Sequence, residues 1–108
     1  MSQPRLAAGV EASALLAGAR AVGGFGTVLR RGDDERGSLL LVLMERGRSR
    51  FLLQRMLQAD GDYAWESQEI ADSDSLERRL SKARERDPDL WLIELDVPST
   101  ERFIAEMT

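Results

Sequence analysis

The chain has 108 residues, 43% hydrophobic and 31% charged, with a net charge of −4 and a pI near 4.9. That length suits one compact α+β domain over 1–108, with a core large enough to stand without staples. It holds no cysteine and no histidine, which excludes disulfide frameworks, Cys/His zinc sites, Ser-His-Asp triads and Cys-His dyads, and no apolar run approaches the ~18 residues of a membrane span.

Residues 5–10, Arg-Leu-Ala-Ala-Gly-Val, carry no decisive period and are compatible with a short edge strand. The start, Met1 to Arg5, does not read as a secretory signal, because the apolar part that follows is broken by Gly9, Glu11 and Gly18. From Glu11, the residues Ala12, Leu15, Leu16, Ala19 and Val22 recur at helical spacing. Gly23-Gly24 supply the left-handed position that ends helices.

Phe25 to Arg31 reads as a strand, and "GDDERG" at 32–37 as a tight polar turn. Ser38 to Glu45, "SLLLVLME", is a continuous apolar run, the pattern of a strand covered on both faces and placed centrally in a sheet. After "RGR" at 46–48, Ser49 to Leu57 places Phe51 and Leu53 on one face, Leu52 and Met56 on the other. Asp60-Gly61 is a hairpin signal leading to a short strand with Tyr63 and Trp65, and 68–73 reads as a polar loop.

Ser73 or Asp74 is positioned to cap a helix through Arg86, with Leu76, Leu80 and Ala83 as its buried stripe. Pro88 stops it. Leu90 to Val97 alternates as a strand, and Ser99 or Thr100 caps a last helix with Phe103, Ile104 and Met107. The short turns predict an antiparallel meander of four strands from Phe25 onward. The expected fold class is α+β: a single mostly antiparallel sheet of about five strands, with two or three helices packed on it.

Four stretches invite a chemical reading. Gly23-Gly24-Phe25-Gly26 looks like a kinase glycine loop, yet it follows a helix, lacks the first glycine and is followed by no phosphate-pairing lysine on the 38–45 strand. It reads as a helix end feeding a strand. Arg31-Gly32-Asp33 and Asp60-Gly61-Asp62 read as turn chemistry rather than an adhesion tripeptide or a calcium loop. Glu94 and Asp96 share a strand face, where paired carboxylates can do acid–base work or, more simply, form a polar outer face.

The strongest candidate is basic. Residues 30–56 carry seven arginines against four acids, while 57–108 are strongly acidic. Arg46, Arg48 and Arg50 alternate and would share one side of an extended stretch, with Arg30, Arg31 or Arg55 as neighbours. Arginine forks suit phosphate or carboxylate, so these three form a candidate anion-binding site. Nucleic acid is a less favoured ligand, since the chain is acidic and carries no recognised nucleic-acid motif.

"DPDLWLIE" at 87–94, together with "VLRRGDDERGSLLLVL", "PRLAAG" and the alanine-rich helix, resembles a family of small alphaproteobacterial proteins, domain of unknown function 1491. The resemblance covers nearly the whole chain. It implies a bacterial cytoplasmic protein and supplies no activity, cofactor or site residue. The expectation is therefore a non-enzymatic interaction module whose partner is another protein or a second copy, with no cofactor, no bound metal and no membrane. Anion or nucleic-acid binding through the arginine face is the alternative.

Overall fold

The computed structural model describes residues 6–107. In chain order the elements are α1 (Ala8–Ala21), β1 (Phe25–Arg30), β2 (Leu39–Glu45), β3 (Arg48–Leu57), β4 (Tyr63–Glu69), α2 (Ser73–Arg86), β5 (Trp91–Asp96) and α3 (Thr100–Met107). The five strands form one open sheet in the order β1-β5-β2-β3-β4. All neighbours are antiparallel except β2 and β5, which run parallel. The α+β class with a mostly antiparallel sheet is as the sequence pattern predicts.

The apolar run of β2 lies in the middle of this sheet because both of its faces are covered. Leu39, Leu41 and Leu43 pack with Leu53, Trp91, Ile93 and Leu95 under α1 and α3. Leu40 and Val42 pack with Leu52, Leu90 and Leu92 under Leu80 of α2. The helices thus cover both faces, α1 and α3 one and α2 the other. Each fully buried leucine in this centre contributes roughly 1.5–3 kcal/mol by removing its side chain from water.

The meander expectation fails at one place. β1 and β2 are not neighbours, because β5 inserts between them. A parallel β2–β5 pair needs a long crossover, and β3, β4 and α2 provide it. The 31–38 connection therefore arches over the start of β5 instead of closing a tight hairpin. Asp33 donates its amide to the Asp89 carbonyl at 3.0 Å, and Trp91 Nε1 donates to the Asp33 carbonyl at 2.8 Å. A Cβ on Gly32 or Gly37 would lie 2.1 or 2.4 Å from the Asp89 carbonyl oxygen, so only glycine permits this approach. The Asp33 carboxylate accepts the amides of Arg36 and Glu35 at 2.8 and 2.9 Å, which hold it below its ordinary pKa despite some loss of solvation.

The same loop corrects the expectation of an edge strand at 5–10. Residue 5 lies outside the described residues, as does the Met1 to Arg5 stretch, and Ala8 to Val10 are helical. Ala7 gives α1 no side-chain cap. Instead the Asp34 and Glu35 carbonyls accept the amides of Gly9 and Ala8 at 2.8 and 3.3 Å. Acceptors supplied by a distant loop satisfy the first turn, which local propensity cannot reveal.

Two smaller shifts occur around the start of α2. The cap of α2 is Asp72, not Ser73 or Asp74: its carboxylate accepts the Ser75 amide at 2.8 Å, the first cause of its lowered pKa. β4 runs on to Glu69, so the first two residues of the polar stretch expected as a loop, Gln68 and Glu69, belong to an outer strand paired to β3, and the loop is 70–72.

Candidate functional site

β1 forms one edge of the sheet and, among the described residues, pairs on one side only, with β5. Gly23, at φ 87, ends α1 and turns the chain into it. The kinase-like glycines are thus a helix end feeding a strand. Phe25 is 61% exposed, and Val28 and Leu29 are also exposed. The register shifts between Val28 and Arg30, leaving Leu29 as an unpaired bulge residue. The only charge on the strand is Arg30, whose guanidinium donates to the Asp87 and Pro88 carbonyls at 3.2 and 2.9 Å. α1 packs beside β1 and leaves Val10, Ala14, Ala17, Ala21 and Val22 exposed, with Arg20 the charge among them.

Glu94 and Asp96 sit one strand inward, opposite Thr27 and Phe25, on the side of the sheet that α2 covers farther along. Both are half-buried. Asp96 accepts the Gly47 amide at 3.2 Å. The pair is thus an acidic strip beside a neutral edge. No group of three or more carboxylates able to hold a metal occurs among the described residues.

Arg46, Arg48 and Arg50 cluster at the β2–β3 hairpin but do not form the even row that extended spacing suggests. Arg46 and Gly47 are the two turn residues, with φ of 52° and 78°. A register shift beside Leu43 and Met44 leaves Arg50 in a bulge. Arg50 lies 3.6 Å from Glu45 and over the Phe51 ring at 5.5 Å. Glu45 in turn accepts the Thr100 amide at 2.9 Å and its hydroxyl at 3.1 Å. These two bonds, helped by Arg50 and Arg46 and opposed by desolvation, hold Glu45 below its ordinary pKa. Arg50 and Arg46 therefore flank a carboxylate that caps α3.

The other arginines do not join them. Arg30 and Arg31 lie at the opposite end of the sheet, where Arg31 pairs with Asp34 at 2.9 Å and stacks over Trp91. Arg55 places its fork on the Glu11 carboxylate, with one contact at 2.6 Å, and covers Trp65 at 4.4 Å. The pattern reading also missed a second basic row, Arg79, Lys82 and Arg86 on α2. Its signal was the three- and four-residue spacing on one helix side.

An open five-stranded sheet clasped by three helices, with one neutral edge and no assembled catalytic group among the described residues, defines a small α+β domain. The sequence profile of the protein of unknown function family DUF1491 matches residues 6–105. The chain belongs to that family. A crystal structure of a DUF1491 protein from Caulobacter crescentus CB15 is similar at 26% identity, covering 88% of this chain and 91% of that one, with a TM-score of 0.75. The NMR structure of a DUF1491 protein from the same organism gives 27% identity, 88% and 89% coverage and a TM-score of 0.71. A structural-genomics solution structure from A. tumefaciens shares the fold at 23% identity, 89% coverage of each chain and a TM-score of 0.74. No curated protein matches.

Proposed function

We propose that this protein is a non-enzymatic, cytoplasmic interaction module that takes up an extended segment of another protein along β1. The observation that carries this reading is the β1 edge: an unpaired backbone row bearing exposed Phe25, Val28 and Leu29, with its single charge already bonded inward. Exposed neutral edges template a further strand, with main-chain bonds giving affinity and alternate side chains giving selectivity. The acidic strip of Glu94 and Asp96 favours a segment with lysine or arginine on that face. A second copy of β1 offers no such charge, since Arg30 is held by the Asp87 and Pro88 carbonyls.

Anion or nucleic-acid binding by Arg46, Arg48 and Arg50 has less support, because Arg50 is spent on Glu45. A tagged pull-down from an alphaproteobacterial lysate, with and without nuclease, separates the two. Val28→Lys with Leu29→Lys should abolish capture of a protein partner, while Arg46→Glu, Arg48→Glu and Arg50→Glu together should leave it. Partners lost with nuclease and with the arginines, but kept in the β1 variant, would overturn the reading. Recovery of only the protein itself would replace it with self-association.

A further inference from the structure

α2 covers the middle of the sheet and leaves a line of clefts against β3 and β4. The central cleft, about 180 Å³, has an apolar floor of Leu40, Leu52 and Ala83. Arg79, Lys82 and Arg86 form its rim, and the Gln54 amide stands on the sheet side. At 1.5 Å per residue, the three cations stand roughly 4.5 and 6 Å apart along the helix axis.

No carboxylate lines this central cleft. Among the described residues the Lys82 and Arg86 side chains have no hydrogen bond or ion pair, and the Arg79 side chain donates only to the neutral Gln68 amide oxygen. Three like charges with no internal counter-ion repel one another, and a shared anion relieves that repulsion. Guanidinium forks match phosphate oxygens bidentately, and Gln54 adds a neutral donor.

The neighbours of the cleft set the size of the ligand. Toward the start of α2 the adjoining cleft carries Glu66, which opposes any run of negative charge in that direction. Toward the end of α2, a larger cleft of about 280 Å³ shares Gln54 and Arg86 and adds Ser38, Tyr63 and Leu90, with Arg55 and Asp87 at its border. Arg55 is paired with Glu11 and Asp87 accepts the Asp89 amide at 3.0 Å, so that space takes an uncharged organic body against a tyrosine ring. We infer that the α2 cleft binds a small phosphomonoester, its phosphate on Lys82, Arg86 and Arg79 and its organic part toward Tyr63. This site is separate from the β1 edge, so either can fail without the other.

The test is a two-dimensional NMR titration of the full chain with inorganic phosphate and with phenyl phosphate, at constant ionic strength. The expected result is saturable shifts at the Gln54 side-chain amide and at residues 79–86. The dissociation constant for phenyl phosphate should be on the order of 1 mM, several-fold tighter than for phosphate. Lys82→Gln with Arg86→Gln should weaken both by about tenfold, because the charge-assisted bonds are gone. Arg46→Gln with Arg48→Gln should change neither. If the double variant unfolds, Lys82→Gln alone carries the comparison, with a smaller loss expected. Shifts that do not saturate, that persist in the Lys82 variants, or that are as large at 46–50 would overturn the site.

Discussion

The two edges of the sheet meet water with opposite chemistry. β4 begins with an exposed Tyr63 and then carries Glu66, Gln68 and Glu69. β1 carries exposed Phe25, Val28 and Leu29 and one bonded arginine. Charge on an outer strand discourages a further strand from pairing, because an added neighbour must bury or repel it. β4 is guarded in this way and β1 is not. Edge position alone therefore does not mark a docking site. The side chains that line the open backbone distinguish the two.

The edges also differ in how they are anchored. The β3–β4 side is tied to α1 by the Arg55 fork on Glu11, a pair only 21% and 12% exposed at its side chains. Glu11→Ala would strand the Arg55 charge and should cost about 3 kcal/mol, read by denaturant unfolding. Adding Arg55→Met to Glu11→Leu should return most of that loss, since an apolar pair removes both charges. On the β1 side the anchor is the 31–38 arch over Trp91. Gly32→Ala would drive a methyl into the Asp89 carbonyl and should cost about 1–3 kcal/mol, with loosening of β5 and β1 visible in hydrogen exchange.

Surface changes at the edges should separate binding from stability. Val28→Lys with Leu29→Lys should shift unfolding by no more than about 0.5 kcal/mol while removing partner capture. Glu66→Val with Gln68→Val should leave stability equally unchanged yet make β4 self-associate, detected by light scattering. If β4 stays monomeric after that change, charge is not what guards it.

The smallest effect is on pH. Asp33, Glu45 and Asp72 all have folded pKa values below their ordinary ones. The unfolded chain therefore binds protons first as pH falls. Their contribution is complete above the ordinary carboxylate range and is lost as pH drops through the folded values. The melting temperature should hold steady above pH 5 and decline below about pH 4, with a shallower acid decline in Asp33→Asn. An unchanged slope in that variant would remove the arch from the account.

Local signals made much of this fold legible. Gly23 ends α1, Pro88 follows α2, and the run from Leu39 to Leu43 marks the central strand. What stayed hidden depends on contacts distant in sequence. The first turn of α1 needs carbonyls from Asp34 and Glu35. The place of β5 between β1 and β2 follows from the arch, where the "RRGD" and "DPDLW" blocks touch through Asp33, Asp89 and Trp91. The site was legible only in part. Alternation put Arg46, Arg48 and Arg50 in one row, but a turn at Arg46 and a bulge at Arg50 break it. β1 could be recognised as a strand from its residues, but its position at the edge required the sheet order.

The central claim is that β1 is the docking edge. The most direct measurement is a photo-cross-linking residue placed at Leu29 and, separately, at Glu66, activated in alphaproteobacterial cells and mapped by mass spectrometry. Cross-links from Leu29 to an extended lysine- or arginine-bearing segment of one protein, with none from Glu66, are predicted. Equal yields from both edges, or none from Leu29, would contradict it.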